Sequence, residues 1–299
     1  MPQLHGVEIV DTFAEAFSMS ATRLIVTAVN AKWARIAADV CTGNATSVIA
    51  CDCEAGLERV LSPDETPDNR PGVALIVFAF SQDALAKAVA DRVGQCILTC
   101  PTTACYNGLD GCPVEKQIAL GEQLRYFGDG FQISKLIGDR RLWRIPVMDG
   151  EFLCDHKAGT VTGVAGGNLL FCGTTEETAL AAAEAAADAM RSVRDIILPF
   201  PGGIVRSGSK VGSRYKGLKA STNDAYCPTI RPLVNSALPE GANAVYEIVI
   251  DGLSFAAVQN AMRTGLHAAV KTKGLLQITA GNYGGKLGKH HLHLRELLS

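Results

Sequence analysis

Twice along this chain a β-branched apolar run gives way to a capped amphipathic helix, then to more apolar runs and a second helix. In the first half, RLIVTAV at 23–29 reads as a strand. NAKWARIAADVCTG at 30–43 reads as a helix, with Asn30 as its N-cap and Gly43 past its end. Its residues Trp33, Ile36, Ala37 and Val40 fall at helical spacing and predict the buried face. SVIACD at 47–52 is expected to be a strand, followed by a proline-marked loop at 62–72. Strand 73–80, helix 82–93 and strand 95–100 complete the first set. In the second half, strand 168–173 leads to helix 176–193, strand 244–250 to helix 254–270, and strand 275–280 to a glycine-rich loop. The stretch 290–297 reads equally as strand or turn.

Few helices and several strands fit helices laid on one face of an antiparallel or mixed sheet. The expected fold class is therefore α/β (α+β), two sandwiches of ferredoxin-like βαββαβ topology. A doubly wound parallel sheet is the alternative, but no early G-x-G-x-x-G follows a strand. The 299 residues suit two domains of about 150 residues each. RIPVMDG, with Pro146 and Gly150, marks the expected boundary, giving lobes 1–147 and 148–299.

A formal net charge of −2 excludes general polyanion binding, so no nucleic-acid partner is expected and any anion must be met by a local patch. MPQLHGVEIVDTF lacks a basic start and apolar core, and no run of 18 apolar residues occurs. The expectation is a cytoplasmic protein with no membrane segment. In that reducing setting its 10 cysteines read as thiols, several of them small buried hydrophobes.

Four segments carry polar chemistry. Residues 202–231 hold six bases, Arg206, Lys210, Arg214, Lys216, Lys219 and Arg231, among five glycines, with Asp224 as the single acid. Such a stretch is either a solvated surface loop or an anion-binding one, and long structureless connections are often functional. In AVYEIVIDG, alternation places Glu247 on one face with Val245 and Val249. It is then either an edge carboxylate facing water or a buried acid–base group of raised pKa. TAGNYGGKLGKHHLH at 279–293 combines glycines, lysines and histidines, as an anion loop, a metal site or a plain hairpin. The cysteine spacing from Cys96 to Cys112 matches neither zinc-ribbon nor ferredoxin patterns. Near the start, Asp11 reads as the cap of a short helix containing Glu15.

GVEIVDTFAEAF, WARIAADVCTGNATSVIACDCEAG, GLKASTNDAYCPTIR, VYEIVIDGL and ITAGNYGGKLGKHHLHL closely resemble, in this order, formylmethanofuran:tetrahydromethanopterin formyltransferases. The resemblance runs the length of the chain. It implies two related α/β lobes, assembly into dimers or tetramers, and a cleft completed by neighbouring subunits. It implies no metal and no tightly bound cofactor, with methanofuran and tetrahydromethanopterin as coenzyme substrates. The glutamate of the family's YEIVI strand, regarded as catalytic, falls on Glu247. Substrate binding is expected from Arg206, Lys210, Lys219, Ser221, Thr222, Asn223, Tyr226, Gly284 and Gly285. Members from methanogens tend to be strongly acidic, whereas this chain is near neutral. That fits bacterial methylotroph members that work beside formylmethanofuran hydrolase subunits and carry formyl from the pterin to methanofuran, towards formate. The alternatives are a non-catalytic pterin- or methanofuran-binding scaffold subunit and a cysteine-rich metal protein.

Overall fold

The computed structural model describes residues 2–138 and 140–298. The chain divides into two compact units. One is Met19–Gly163; the other joins the segment up to Ser18 to the segment from Val164 onward.

In the Met19–Gly163 unit the strand Phe13–Thr27 contributes its second half, followed by helix Ala31–Thr42, strands Glu54–Leu61 and Gly72–Ala79, helix Gln82–Arg92 and strand Ala104–Asn107. Residues 20–27 pair antiparallel with Gly72–Ala79, and Glu54–Leu61 pairs antiparallel on the far side of Gly72–Ala79. Ala104–Asn107 pairs antiparallel with residues 24–27. Numbered within the unit, the order is 4-1-3-2, the ferredoxin-like βαββαβ arrangement. Strands Gly150–Asp155, Arg140–Val147 and Ile133–Ile137 extend this sheet. Gly150 pairs with Val147, so Pro146 and Gly150 flank a hairpin turn inside this unit. Leu24, Leu75, Leu85 and Ile97 are fully buried between sheet and helices. Each such burial stabilises the fold by about 1.5–3 kcal/mol.

The other unit repeats the plan. Strand Val161–Gly173, helix Glu176–Met190, strands Ile196–Ile197 and Ala244–Gly252, helix Phe255–Ala269 and strand Leu275–Thr279 again pair in the order 4-1-3-2. Val7–Ile9 adds a parallel edge strand beside Leu275–Thr279. His290–His293 pairs with residues 13–16. Side chains of Thr175 and Ser254 cap the two helices. The helices meet so closely that a Cβ on Gly265 would lie 2.1 Å from Met190 Cε. Among the described residues no helix is long and apolar enough to cross a membrane.

Four local expectations fail, each for a physical reason. Residues 47–52 form turns: Cys51 N–H donates to Ser47 O at 2.8 Å and Val48 N–H to Glu54 Oε1 at 3.0 Å. These local acceptors take the donors a strand would have offered to a neighbour. Residues 95–100 continue the second helix through one π turn, Val93–Ile97, with Leu98 N–H donating to Val93 O. A short apolar run does not distinguish a buried helix end from a strand. Helix Ala31–Thr42 buries Ala34, Ala37, Ala38 and Cys41, leaving Val40 56% exposed. Small residues let it approach the sheet, so side-chain size outweighs hydrophobicity in choosing its face. Asp11 caps no helix, because Phe13–Thr27 is one long strand whose Ala14 and Ala16 enter the core.

The turn from Val161–Gly173 into its helix is equally tight, since a Cβ on Gly173 would meet Ala179 N at 2.7 Å. Gly173→Ala is expected to cost about 1–3 kcal/mol, read as a lower urea midpoint at unchanged slope. An unchanged midpoint would contradict this packing.

Candidate active site

The sheet that begins at Val164 buries Ile248, Ile250, Leu169 and Phe171 against its two helices. Alternation turns the opposite side chains to the other face. There Glu247 pairs across with Leu170, and Leu170 with Thr279. The next row is Val245, Cys172, Gln277 and Glu8. Gln277 Nε2 donates to Glu8 Oε2 at 2.9 Å. Glu247, Thr279, Gln277 and Glu8 make this face partly polar, with Leu170, Cys172 and Val245 between them.

Two loops border it. Val205 bridges to Glu247: its N–H donates to Glu247 O at 2.7 Å, and Glu247 N–H returns the bond at 3.0 Å. The Ala244–Gly252 strand is thus lined on both sides here, and Glu247 is no edge carboxylate. The following stretch holds Tyr226, whose hydroxyl bonds Thr279. From the other loop, Tyr283 bonds Ser209 and lies close enough to Glu247 to sense its charge.

Glu247 is half-buried, and packing around its carboxyl pushes the pKa up to about 7. No cation pairs with it among the described residues. Burial also raises the hydroxyl pKa of Tyr283, with the nearby Glu247 and Glu15 charges adding to the effect. Burial raises that of Tyr226, partly offset by the bond to Thr279. A carboxyl that gains and loses its proton near neutrality can take a proton from one group and return it to another.

Glu15 is its opposite. Only 1% exposed, it accepts N–H bonds from Tyr283 and Gly285 on Oε2 at 2.6 and 2.8 Å. Leu287 and Gly288 donate to Oε1, both at 2.6 Å. Burial alone would raise its pKa, but these four donors bring it down to about 2.

The other residues singled out from sequence fall into groups. Arg206 and Lys219 are exposed. Lys210 is tied to Asp224, whose carboxyl the ammonium holds below the usual range. The Ser221 hydroxyl donates to Gly212 O at 2.8 Å and that of Thr222 to Ser207 O at 3.4 Å. Asn223 packs against Gly208, whose φ of +56° and a missing Cβ make room for it. Gly284 N–H donates to Asn282 Oδ1 at 3.0 Å and Gly285 N–H to Glu15, so side chains engage both amides. Glu247 and Tyr226 thus share one polar face, and the basic residues lie along its bordering loop. Sequence reasoning passed over Tyr283, Thr279, Gln277 and Ser209. Gln277 and Thr279 could have been found, as two polar residues alternating within LLQIT. All ten cysteines are free thiols, and no group of metal-ligating side chains assembles among the described residues.

Comparison with known proteins bears on the whole chain. The family model described as formylmethanofuran-tetrahydromethanopterin formyltransferase matches residues 2–147, and that described as FTR, proximal lobe, matches 150–297. A formylmethanofuran--tetrahydromethanopterin formyltransferase of Methylococcus capsulatus is 57% identical, over 99% of each chain. The crystal structure of the formyltransferase/hydrolase complex from Methylorubrum extorquens, in complex with methylofuran, contains a chain of 55% identity. It superimposes with a TM-score of 0.96 over 100% of this chain and 99% of that one. The enzyme from Methanosarcina barkeri superimposes with a TM-score of 0.94 at 48% identity, over 99% of this chain and 100% of that one. With the repeated lobes and the polar face already described, these matches establish that the chain belongs to the formylmethanofuran–tetrahydromethanopterin formyltransferase family.

Proposed function

We propose that the chain transfers a formyl group between a tetrahydromethanopterin-type pterin and methanofuran, with Glu247 as the proton carrier. One observation carries this reading: a carboxyl titrating near pH 7, without a cation, on a polar sheet face. In the direction from pterin to methanofuran, the methanofuran amine attacks the formyl carbon on the pterin nitrogen. The new C–N bond forms as the carbonyl π electrons move to oxygen, giving a tetrahedral oxyanion. Glu247 as carboxylate takes the proton of the attacking amine. As the oxyanion collapses, the old C–N bond breaks and Glu247 returns that proton to the leaving pterin nitrogen. Holding the two amines at one carbon supplies much of the acceleration. The oxyanion needs donors aimed at it. The hydroxyls of Tyr226 and Tyr283 beside this face, and Asn223 on the bordering loop, are the groups suited to that task. Arg206 and Lys219, exposed on the bordering loop, suit the anionic tails of both coenzymes.

The partners belong to the same proposal. A related protein from Methylorubrum extorquens, 56% identical, carries the name of a formyltransferase/hydrolase complex component. By that likeness this chain joins hydrolase subunits and works from formyl-pterin towards methanofuran. A homo-oligomeric core fits the apolar surface of the Met19–Gly163 unit, where Tyr126, Phe127, Phe131 and Met148 are exposed. A cytoplasmic location accords with ten free thiols.

Purified protein is expected to form product in a spectrophotometric transfer assay. Glu247→Gln should lower kcat by about 10²–10⁴-fold and leave KM nearly unchanged. Near-normal turnover in that variant would remove Glu247 from the mechanism. The raised pKa has a second consequence. The folded protein holds the Glu247 proton more tightly than the unfolded chain, whose value is near 4.5. Stability is therefore lost as pH rises from about 4.5 to about 7. Glu247→Gln should then be more stable than the parent at pH 8 and no more stable at pH 4, by thermal unfolding. Equal unfolding of both proteins at pH 8 would contradict the burial assigned to this carboxyl.

A further inference from the structure

We infer that Glu15 is a positioning residue: its carboxylate shapes the loop after Thr279 and thereby holds Tyr283 near Glu247. The loop spans 280–289 and makes no sheet or helix of its own. Its backbone donors therefore need other partners. Four of them converge on the Glu15 carboxylate, which has about four lone-pair sites to offer. No cation pairs with that carboxylate among the described residues, so the amides alone balance its charge. The loop is built to approach it. A Cβ on Gly288 would lie 2.5 Å from Ala16 O and 2.9 Å from Glu15 Cγ. Gly284 and Gly285 both take φ near +70°, at +72° and +71°. Upstream, Asn168 Oδ1 accepts from Gly281 N–H at 2.6 Å, fixing the other end.

Tyr283 connects this cradle to the polar face. Its N–H is one of the four donors, and its hydroxyl meets Ser209 beside Glu247. Its ring also stands 6.2 Å, centroid to centroid, from that of Phe17 on Glu15's own strand. Among the titratable groups of the described residues, Tyr283 from the loop lies near enough to interact with the Glu247 charge. Burial raises its hydroxyl pKa, so it is uncharged at neutral pH. Burial sets the Glu247 pKa, so displacing the neighbouring Tyr283 loop is expected to change it. A glutamine at position 15 has one acceptor oxygen and a donating NH2, so two of the four amides would face a donor.

This inference uses the role proposed for Glu247 only for its kinetic consequence. The test therefore reads the Glu247 carboxyl directly. Whole chains carrying isotope-labelled glutamate carboxyls are titrated by NMR, with the Glu247 signal identified by its loss in Glu247→Gln. Glu15→Gln should speed amide exchange of 283–288 by about tenfold or more. It should move the Glu247 midpoint from about 7 towards 4.5, and lower kcat by about 10–100-fold with KM within about twofold. Adding Tyr283→Ala to Glu15→Gln should move the midpoint no further, since both act through one side chain. A looser loop with an unmoved midpoint would overturn the proposal. A moved midpoint with unchanged kcat would support the positioning and reject Glu247 as proton carrier instead. If Glu15→Gln does not fold, Gly285→Ala displaces the loop with the carboxylate intact, its Cβ falling 3.0 Å from His291 Cε1. An unmoved Glu247 midpoint in that variant also overturns the inference.

Discussion

Partial burial of the Glu247 carboxyl with no cation beside it is the constraint on which the site depends. A carboxylate in such surroundings loses hydration that nothing replaces, and its pKa climbs to about 7. Glu15, in the same lobe, is also buried yet remains an anion, because four amides replace the lost water. Burial alone therefore does not decide protonation; the donors around the carboxyl do. The lobe contains one carboxyl held charged as structure and one left free to exchange its proton.

Both environments follow from the sheet. A ferredoxin-like lobe covers one sheet face with its two helices, and the covered residues are Ile248, Ile250, Leu169 and Phe171. The other face is left for loops, and the sequence makes it polar at alternate positions. Glu247 sits on the third strand in unit order, flanked by Leu170 on one side and by the Val205 bridge on the other. A central position denies it the open water that an edge strand would supply. The length of the 202–231 connection now has a physical reason. It supplies the backbone that pairs with Glu247, the hydroxyl that reaches Thr279, and cations left exposed along its course.

The two-lobe ferredoxin-like plan was legible because strands such as RLIVTAV and helices such as EETALAAAEAAADAM carry clear period-2 and period-3.6 patterns. The face shared by Val245, Glu247 and Val249 was legible for the same reason. Whether that face meets water was not, since alternation fixes a side and not what covers it. SVIACD and QCILTC misled because each is a short apolar run whose backbone donors find partners a few residues away, Ser47 and Glu54 in one and Val93 and Ile97 in the other, which an apolar pattern does not show. Glu15 was hidden most completely. Its role depends on amides some 270 residues away, and four glycines at 281–288 read only as a flexible loop. Tyr283 was missed with it, because a tyrosine in a glycine-rich turn carries no signal of its neighbour.

The central claim is that one carboxyl both titrates near neutrality and moves the proton during formyl transfer. The most direct measurement compares two midpoints in the same protein: that of the Glu247 carboxyl, followed by its infrared band, and that of the single-turnover transfer rate. Coincidence near pH 7 is predicted, with the rate midpoint disappearing in Glu247→Gln. A carboxyl titrating near its ordinary value while the rate midpoint stays near 7 would contradict the account and assign the proton to another group.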